Sequence, residues 1–245
     1  MTVKSFTFGP FQTNTYVVSD FSRANGQEPI VLLVDPACYT ESERQTLADY
    51  IDSLSAQSSA SPKDGLCSVS AAVCQPKAVS IVATDGHLDH LWGAKWATER
   101  WQTPVLMHEA DIPMARAMQD QYTLFGIPGK PESFPIEPLS SVSPKDGLTA
   151  ERSCSIAVLQ RSGLSIISTP GHTPGSVCLY WPDEKVLLSG DTLFCMGYGR
   201  TDLPGGSYAD LIESIRTLFD LPSDVIVYPG HGESTTIGAE KHRYW

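Results

Sequence analysis

The chain has 245 residues, of which 41% are hydrophobic and 9% aromatic, enough for one large domain or two small ones with a sizeable core. Seventeen Lys and Arg against 28 Asp and Glu give a net charge of −11, and no basic cluster is present, which excludes nucleic acid and anionic lipid as natural partners. Mean hydropathy is −0.12 and no run of ~18 apolar residues occurs, so no membrane span is expected.

The N-terminus, MTVKSFTFGPFQTNTYVV, lacks a basic segment followed by an apolar one and reads as strand and turn, not as an export signal. A cytoplasmic location follows as the expectation. The six cysteines (Cys38, Cys67, Cys74, Cys154, Cys178 and Cys195) are then reduced thiols, since none forms a C-x-x-C pair.

In chain order, Val3–Phe8 and Thr15–Ser19 are short strands around Gly9-Pro10. Ile30–Val34 is a β-branched run ending in Asp35-Pro36, a buried strand that meets a loop. Glu41–Leu54 has helical spacing, with Leu47, Tyr50, Ile51 and Leu54 on one face. The Ser-, Ala-, Pro- and Gly-rich stretch that follows is a flexible loop, spanning about residues 56–77.

Ala78–Ala83 is the next strand and runs into Thr84-Asp85-Gly86-His87-Leu88-Asp89-His90, with helix-compatible sequence over Leu91–Trp101. Val105–His108 is a strand, Ala110–Gln121 a helix, and Gly126–Pro138 a Pro/Gly-rich loop. Ile156–Leu159, Ser165–Ser168, Ser176–Trp181 and Lys185–Ser189 are strands. Tyr208–Leu221 is an amphipathic helix, and Val225–Tyr228 is a last strand before Pro229-Gly230-His231-Gly232. The hexapeptide SPKDGL occurs at Ser61–Leu66 and again at Ser143–Leu148; shared turn chemistry explains it as simply as an internal duplication.

The chemistry lies at strand ends. Of the six histidines, His87, His90, His172 and His231 each follow a strand in a polar or Gly-rich turn, whereas His108 and His242 do not and read as structural or surface residues. Asp191 repeats the arrangement after Val186–Ser189 and Gly190. One such histidine alone is an ordinary hydrogen-bonded residue, but random placement does not put His or Asp beside Gly after four separate strands. In Asp85-Gly86-His87-Leu88-Asp89-His90, the alternate positions Asp85, His87 and Asp89 point one way in an extended turn and His90 joins as a helix begins. Together with His172, Asp191 and His231 these exceed the needs of one tetrahedral ion and suffice for two ions sharing a bridging carboxylate and a water.

In order and context, TDGHLDH (84–90), TPGHTPGS (169–176), SGDTLF (189–194) and YPGHG (228–232) resemble the motifs of the metallo-β-lactamase fold hydrolases, T-H-x-H-x-D-H followed by a later His, Asp and His. The resemblance covers nearly the whole chain. It implies an α/β fold, a four-layer αββα sandwich formed by residues 1–245 as a single domain, with the site at one edge between two sheets. It also implies two Zn2+ per chain. His87 and His172 would hold the first, with Asp85 in the place of the family's first His; Asp89, His90 and His231 would hold the second, and Asp191 would bridge them. A carboxylate at 85 is harder than imidazole and adds negative charge. Three outcomes stand open: a less acidic first metal, a preference for Fe or Mn, or a poorly filled first site.

The stretch LFCMGYGRTDLPGGS (193–207) looks like that of short glyoxalase II-like (hydroxyacylglutathione hydrolase-like) enzymes and of persulfide dioxygenases. Its GRTD segment reads as a structural turn, with Arg200 pairing a carboxylate, and Cys195 as a buried, inert thiol. Only 14 residues follow His231, which weighs against the helical glutathione grip of full-length glyoxalase II enzymes. The leading expectation is a metal-dependent hydrolase of small-molecule acyl compounds, thioesters in particular, in which a metal-activated water attacks the carbonyl and Asp89 orients it. One alternative is a mononuclear iron persulfide dioxygenase using Asp85, His172 and Asp191; another is a binding protein that keeps the fold with a weakened site.

Overall fold

A computed structural model of the chain describes residues 1–20, 30–58, 79–139, 159 and 162–244. Two sheets face each other. The first has the order β1-β2-β3-β4-β5-β6, formed by Thr2–Phe8, Thr13–Asp20, Ile30–Val34, Val79–Val82, Val105–Met107 and Ile136–Pro138. Its first three strands are antiparallel and β3 to β6 run parallel. The second has the order β13-β12-β9-β8-β7, from Thr235–Thr236, Ile226–Pro229, Val186–Gly190, Val177–Trp181 and Ser165–Ser168. β10 (Leu193–Phe194) and β11 (Gly197–Tyr198) form a separate two-stranded hairpin.

Period-2 alternation places the layers. Tyr16, Val18, Leu32, Val34, Val82 and Leu106 of the first sheet pack with Val177, Leu179, Trp181, Val186 and Leu188 of the second in one core. The intervening residues Val17, Val31, Leu33, Ile81, Val105 and Met107 face the other way, onto Leu47, Ile51 and Leu54 of α1 (Glu41–Ser58), Leu88 and Leu91 of α2 (Leu88–Leu91) and Ala94 and Ala97 of α3 (Ala94–Trp101). Behind the second sheet, Cys178, Tyr180, Leu187 and Val227 pack on α6 (Tyr208–Leu218) and on Ile237 of α7 (Ile237–Tyr244). The result is the expected αββα sandwich. Burial on both faces explains why β3 reads as an unbroken apolar run and why β4 is apolar but for the buried Ser80.

Several elements differ from expectation. The segment 110–121 is a 3-10 turn (Glu109–Asp111), α4 (Ile112–Arg116) and α5 (Met118–Leu124), because Pro113 starts a helix and the chain bends at Ala117. Gly93 separates α2 from α3, so the first helix begins three residues earlier than expected, among the candidate ligands. The last helix before β12 stops at Leu218, while α1 runs on to Ser58 and so takes the first residues of the expected loop. Residues 136–138 form a strand in spite of Pro138, which an edge strand tolerates. The β10–β11 hairpin, β13 and α7 carried no signal of their own. Both SPKDGL copies, the rest of the 56–77 loop, and all of the 156–159 strand but Leu159 lie outside the described residues. Among the described residues, no helix is long and apolar enough to cross a membrane.

Candidate metal centre

The site lies where the ends of β4, β9 and β12 and the turn after β7 meet. Strands β9 and β12 are parallel, so Asp191 and His231 leave the same edge, and Gly230 N–H donates to Gly190 O at 2.8 Å. Val177 N–H donates to Thr84 O at 2.9 Å, which joins the β4 turn to the second sheet. The turn 84–90 is held by Asp85, whose Oδ1 accepts the His87 N–H at 2.8 Å. Buried Gln121 clamps the same turn, accepting from Leu88 N–H and donating to Gly86 O.

All seven candidate ligands converge. Three sets have donor atoms close enough to share an ion: Asp85, His87 and His172; Asp89, His90 and His231; and Asp85, His90 and Asp191. His87 Nδ1 and His172 Nε2 face each other at 2.8 Å. His231 Nε2 lies 3.2 Å from Asp89 Oδ2. Asp191 stands between the groups, with Oδ1 3.4 Å from His90 Nε2 and Oδ2 3.3 Å from His172 Nε2 and 3.5 Å from His231 Nε2.

Three of the four histidines are aimed by their other ring nitrogen, as metal-ligating histidines are. Nδ1 of His172 contacts the Arg200 carbonyl at 2.7 Å, Nδ1 of His231 the Phe11 carbonyl at 3.1 Å, and Nδ1 of His90 lies 3.1 Å from Asp35 Oδ2. Asp35 is fixed in turn by the Thr84 N–H and hydroxyl, both at 2.7 Å. Asp111 ties two ligand turns together: it accepts from Gly86 N–H, Thr173 Oγ1 and Gly175 N–H at 2.8, 2.6 and 2.6 Å. Two glycines make room for Asp191. A Cβ on Gly230 would stand 2.1 Å from Asp191 Oδ1, and one on Gly199 would stand 1.9 Å from the Asp191 carbonyl.

Asp85 Oδ2, His90 Nε2 and Asp191 Oδ1 are buried without a hydrogen-bond partner. An orphaned buried polar atom costs about 1–3 kcal/mol, so three pointing into one small volume call for a shared partner. Charge makes the same demand. Burial pushes the His90 pKa down, yet Asp85, Asp35, Asp89 and Asp191 lift it well above the usual value. Burial pushes the Asp89 carboxyl up, but His90, His231 and the Thr13 hydroxyl (2.7 Å) more than offset this and hold it ionised. Burial lowers His87 and raises Asp35. Four imidazoles and three carboxylates, with Asp85 Oδ2, His90 Nε2 and Asp191 Oδ1 left without a partner, fit a pair of divalent cations.

The centre opens on a cavity of about 390 Å3, with His87, Asp89, His172, Asp191 and His231 at its floor and Phe11, Phe125, Leu203 and Arg200 around it. Phe11 packs tilted against Trp92 and edge-on to Phe125, giving one aromatic wall. The sequence-based reading of GRTD is met, since Arg200 pairs with both oxygens of Asp202 at 2.7 Å. Cys195 is half-buried in the β10–β11 hairpin rather than buried, which corrects the expectation. His108 caps the 3-10 turn by accepting Ala110 N–H, a structural role as expected. Asp35, Thr13, Asp111 and Gln121 were not anticipated; only Asp35 had a signal, since it too follows a strand.

The family model described as the metallo-beta-lactamase superfamily matches residues 8–231. The chain belongs to this superfamily. Among curated relatives, it is 35% identical over 163 residues to hydroxyacylglutathione hydrolase GloC of Haemophilus influenzae, covering 66% of this chain and 72% of that one. It is 32% identical over 166 residues to the probable metallo-hydrolase YqgX of Bacillus subtilis, with the same coverage of 66% and 72%. Among solved structures, BLEG-1 B3 metallo-beta-lactamase is 28% identical with a TM-score of 0.69, covering 98% of this chain and 97% of that one. TTHA1623 in a di-iron-bound form is 27% identical with a TM-score of 0.67, covering 97% and 96%. For this superfamily member the αββα fold and a candidate His/Asp metal centre therefore stand together.

Proposed function

We propose that the chain is a binuclear metallo-hydrolase that cleaves small-molecule thioesters. The observation that carries this reading is the convergence of two ligand groups, joined by Asp191, at the floor of an open cavity. Asp85, His87 and His172 would hold one ion and Asp89, His90 and His231 the other, with Asp191 shared. Zinc is the expected metal, with iron or manganese as substitutes; the di-iron form of TTHA1623 supports that breadth. Such ions would supply a Lewis acid for the carbonyl and lower the pKa of water towards neutrality.

The chain's own groups do the rest. Asp89, held by the Thr13 hydroxyl and lining the cavity, orients the attacking water. Phe11, Phe125 and Leu203 offer the acyl compound an apolar surface. Because β4 belongs to one sheet and β9 and β12 to the other, the site needs both, which supports reading residues 1–245 as one domain. Likeness to hydroxyacylglutathione hydrolase GloC supports a thioester substrate. The persulfide dioxygenase alternative employs only Asp85, His172 and Asp191, and leaves the equally convergent Asp89, His90 and His231 without a task.

The test is metal analysis of protein purified without added metal, paired with hydrolysis of a hydroxyacyl glutathione thioester. Two ions per chain and an activity that a chelator abolishes and metal restores are expected. One iron per chain with oxygen uptake on a glutathione persulfide overturns the proposal, as does a chain with no tightly held metal.

A further inference from the structure

Asp85 faces both halves of the centre at once. Its Oδ1 is 3.7 Å from His87 Nδ1, on the side of His172. Its Oδ2 is 3.7 Å from His90 Nε2, on the other side, and is buried without a hydrogen-bond partner. Asp85 accordingly shares one potential ion with His87 and His172 and another with His90 and Asp191. Across the centre Asp191 also faces both halves, with Oδ1 towards His90 and Oδ2 towards His172 and His231. Asp85 thus turns one oxygen to each half, and Asp191 reaches both halves through Oδ2 and the His90 side again through Oδ1.

This geometry is specific to a carboxylate. Its two oxygens carry lone pairs that serve neighbouring cations side by side, whereas the nitrogens of an imidazole point apart and the one that is not ligating needs a partner for its proton. A histidine at 85 could serve one half only.

We propose that Asp85 is a second bridging ligand, one oxygen to each ion, so that the metal pair is held between Asp85 and Asp191. The proposal rests on the binuclear reading above. Two consequences follow. The ions bind in concert, because each loses a ligand when the other's shared carboxylate is disturbed. The added oxygen donors and negative charge narrow the preference for Zn2+ over Mn2+.

The test titrates metal-free protein with Zn2+ and with Mn2+ by calorimetry, with stoichiometry from elemental analysis, for the wild type, Asp85→Asn and Asp85→His. Asp85→Asn is expected to weaken both ions by about tenfold or more. Asp85→His is expected to weaken only the ion of the His90 group and to raise the Zn2+/Mn2+ affinity ratio by about tenfold. In a His172→Ala background, where one ion is retained by Asp89, His90 and His231, adding Asp85→Asn should weaken that ion further. If it leaves that ion unchanged, or if Asp85→Asn weakens one ion of two, the bridge is refuted while the binuclear reading survives. A wild type that binds fewer than two ions overturns both. Asp85→Ser, smaller and also uncharged, replaces Asn should the amide variant fail to fold, with the same outcomes read.

Discussion

Asp111 carries the most exposed prediction of the structure. It is fully buried and joins the His87 turn to the His172 turn through Gly86 N–H, Thr173 Oγ1 and Gly175 N–H. In Asp111→Asn one oxygen remains. Placed at Oδ2, it keeps Gly86 and Thr173 and turns an amide donor towards the Gly175 N–H, so at least one charged-acceptor hydrogen bond is lost and a buried donor is orphaned. Losing such a bond costs about 2–3 kcal/mol, and for a chain of this length that lowers Tm by roughly 4–12 °C. Urea unfolding followed by tryptophan fluorescence should be run with chelator present, so that metal linkage does not mask the loss. With metal restored, the ion proposed for His87 and His172 should bind about 10–100-fold more weakly. A variant within 0.5 kcal/mol of wild type (about the scatter of neutral surface substitutions) and with unchanged metal affinity would refute the view that Asp111 sets the spacing of the two turns.

Gly230→Ala should displace Asp191, since its Cβ would lie 2.1 Å from Asp191 Oδ1, and calorimetry should find both ions weakened with secondary structure intact by circular dichroism. Beside Arg200 the Asp202 carboxyl is held at about 2, below the ordinary 3.8. A lowered carboxyl pKa means that the pair's contribution is present above pH 3.8 and fades as pH falls through about 2; Arg200→Gln should return the NMR titration midpoint of Asp202 to the ordinary value. Burial pushes the thiols of Cys38 to about 12 and of Cys178 to about 11. Native-state alkylation at pH 8, mapped by mass spectrometry, should therefore label half-exposed Cys195 well ahead of both, and equal rates would contradict the packing around them.

What the sequence made legible was periodic or punctuated. Two-faced burial writes β3 as IVLLV, and the alternation in β8 and β9 follows which side chains meet the other sheet. Elements without a period of their own were hidden. Strand β6 exists because β5 offers it an open edge, and the β10–β11 hairpin is held by the buried Glu240 of α7, which accepts the Met196 N–H at 3.1 Å. Pairing across such a sequence distance leaves no local trace.

The site divides in the same way. His87, Asp89, His90, His172, Asp191 and His231 were legible as candidate ligands because each follows a strand in a polar or Gly-rich turn. The groups that aim them were not, because a carboxylate that holds a histidine looks in sequence like any other. Asp111 sits in an ordinary helical stretch, 25 residues from Gly86 and 62 from Thr173, and only tertiary contact gives it work. Asp85 shows the limit most sharply. By type it departs from the motif, and sequence alone leaves open whether it weakens, retunes or empties the first half of the centre. Its two oxygens, one towards His87 and one orphaned beside His90, make the departure a question of whether one carboxylate serves two ions, which a binding isotherm can answer.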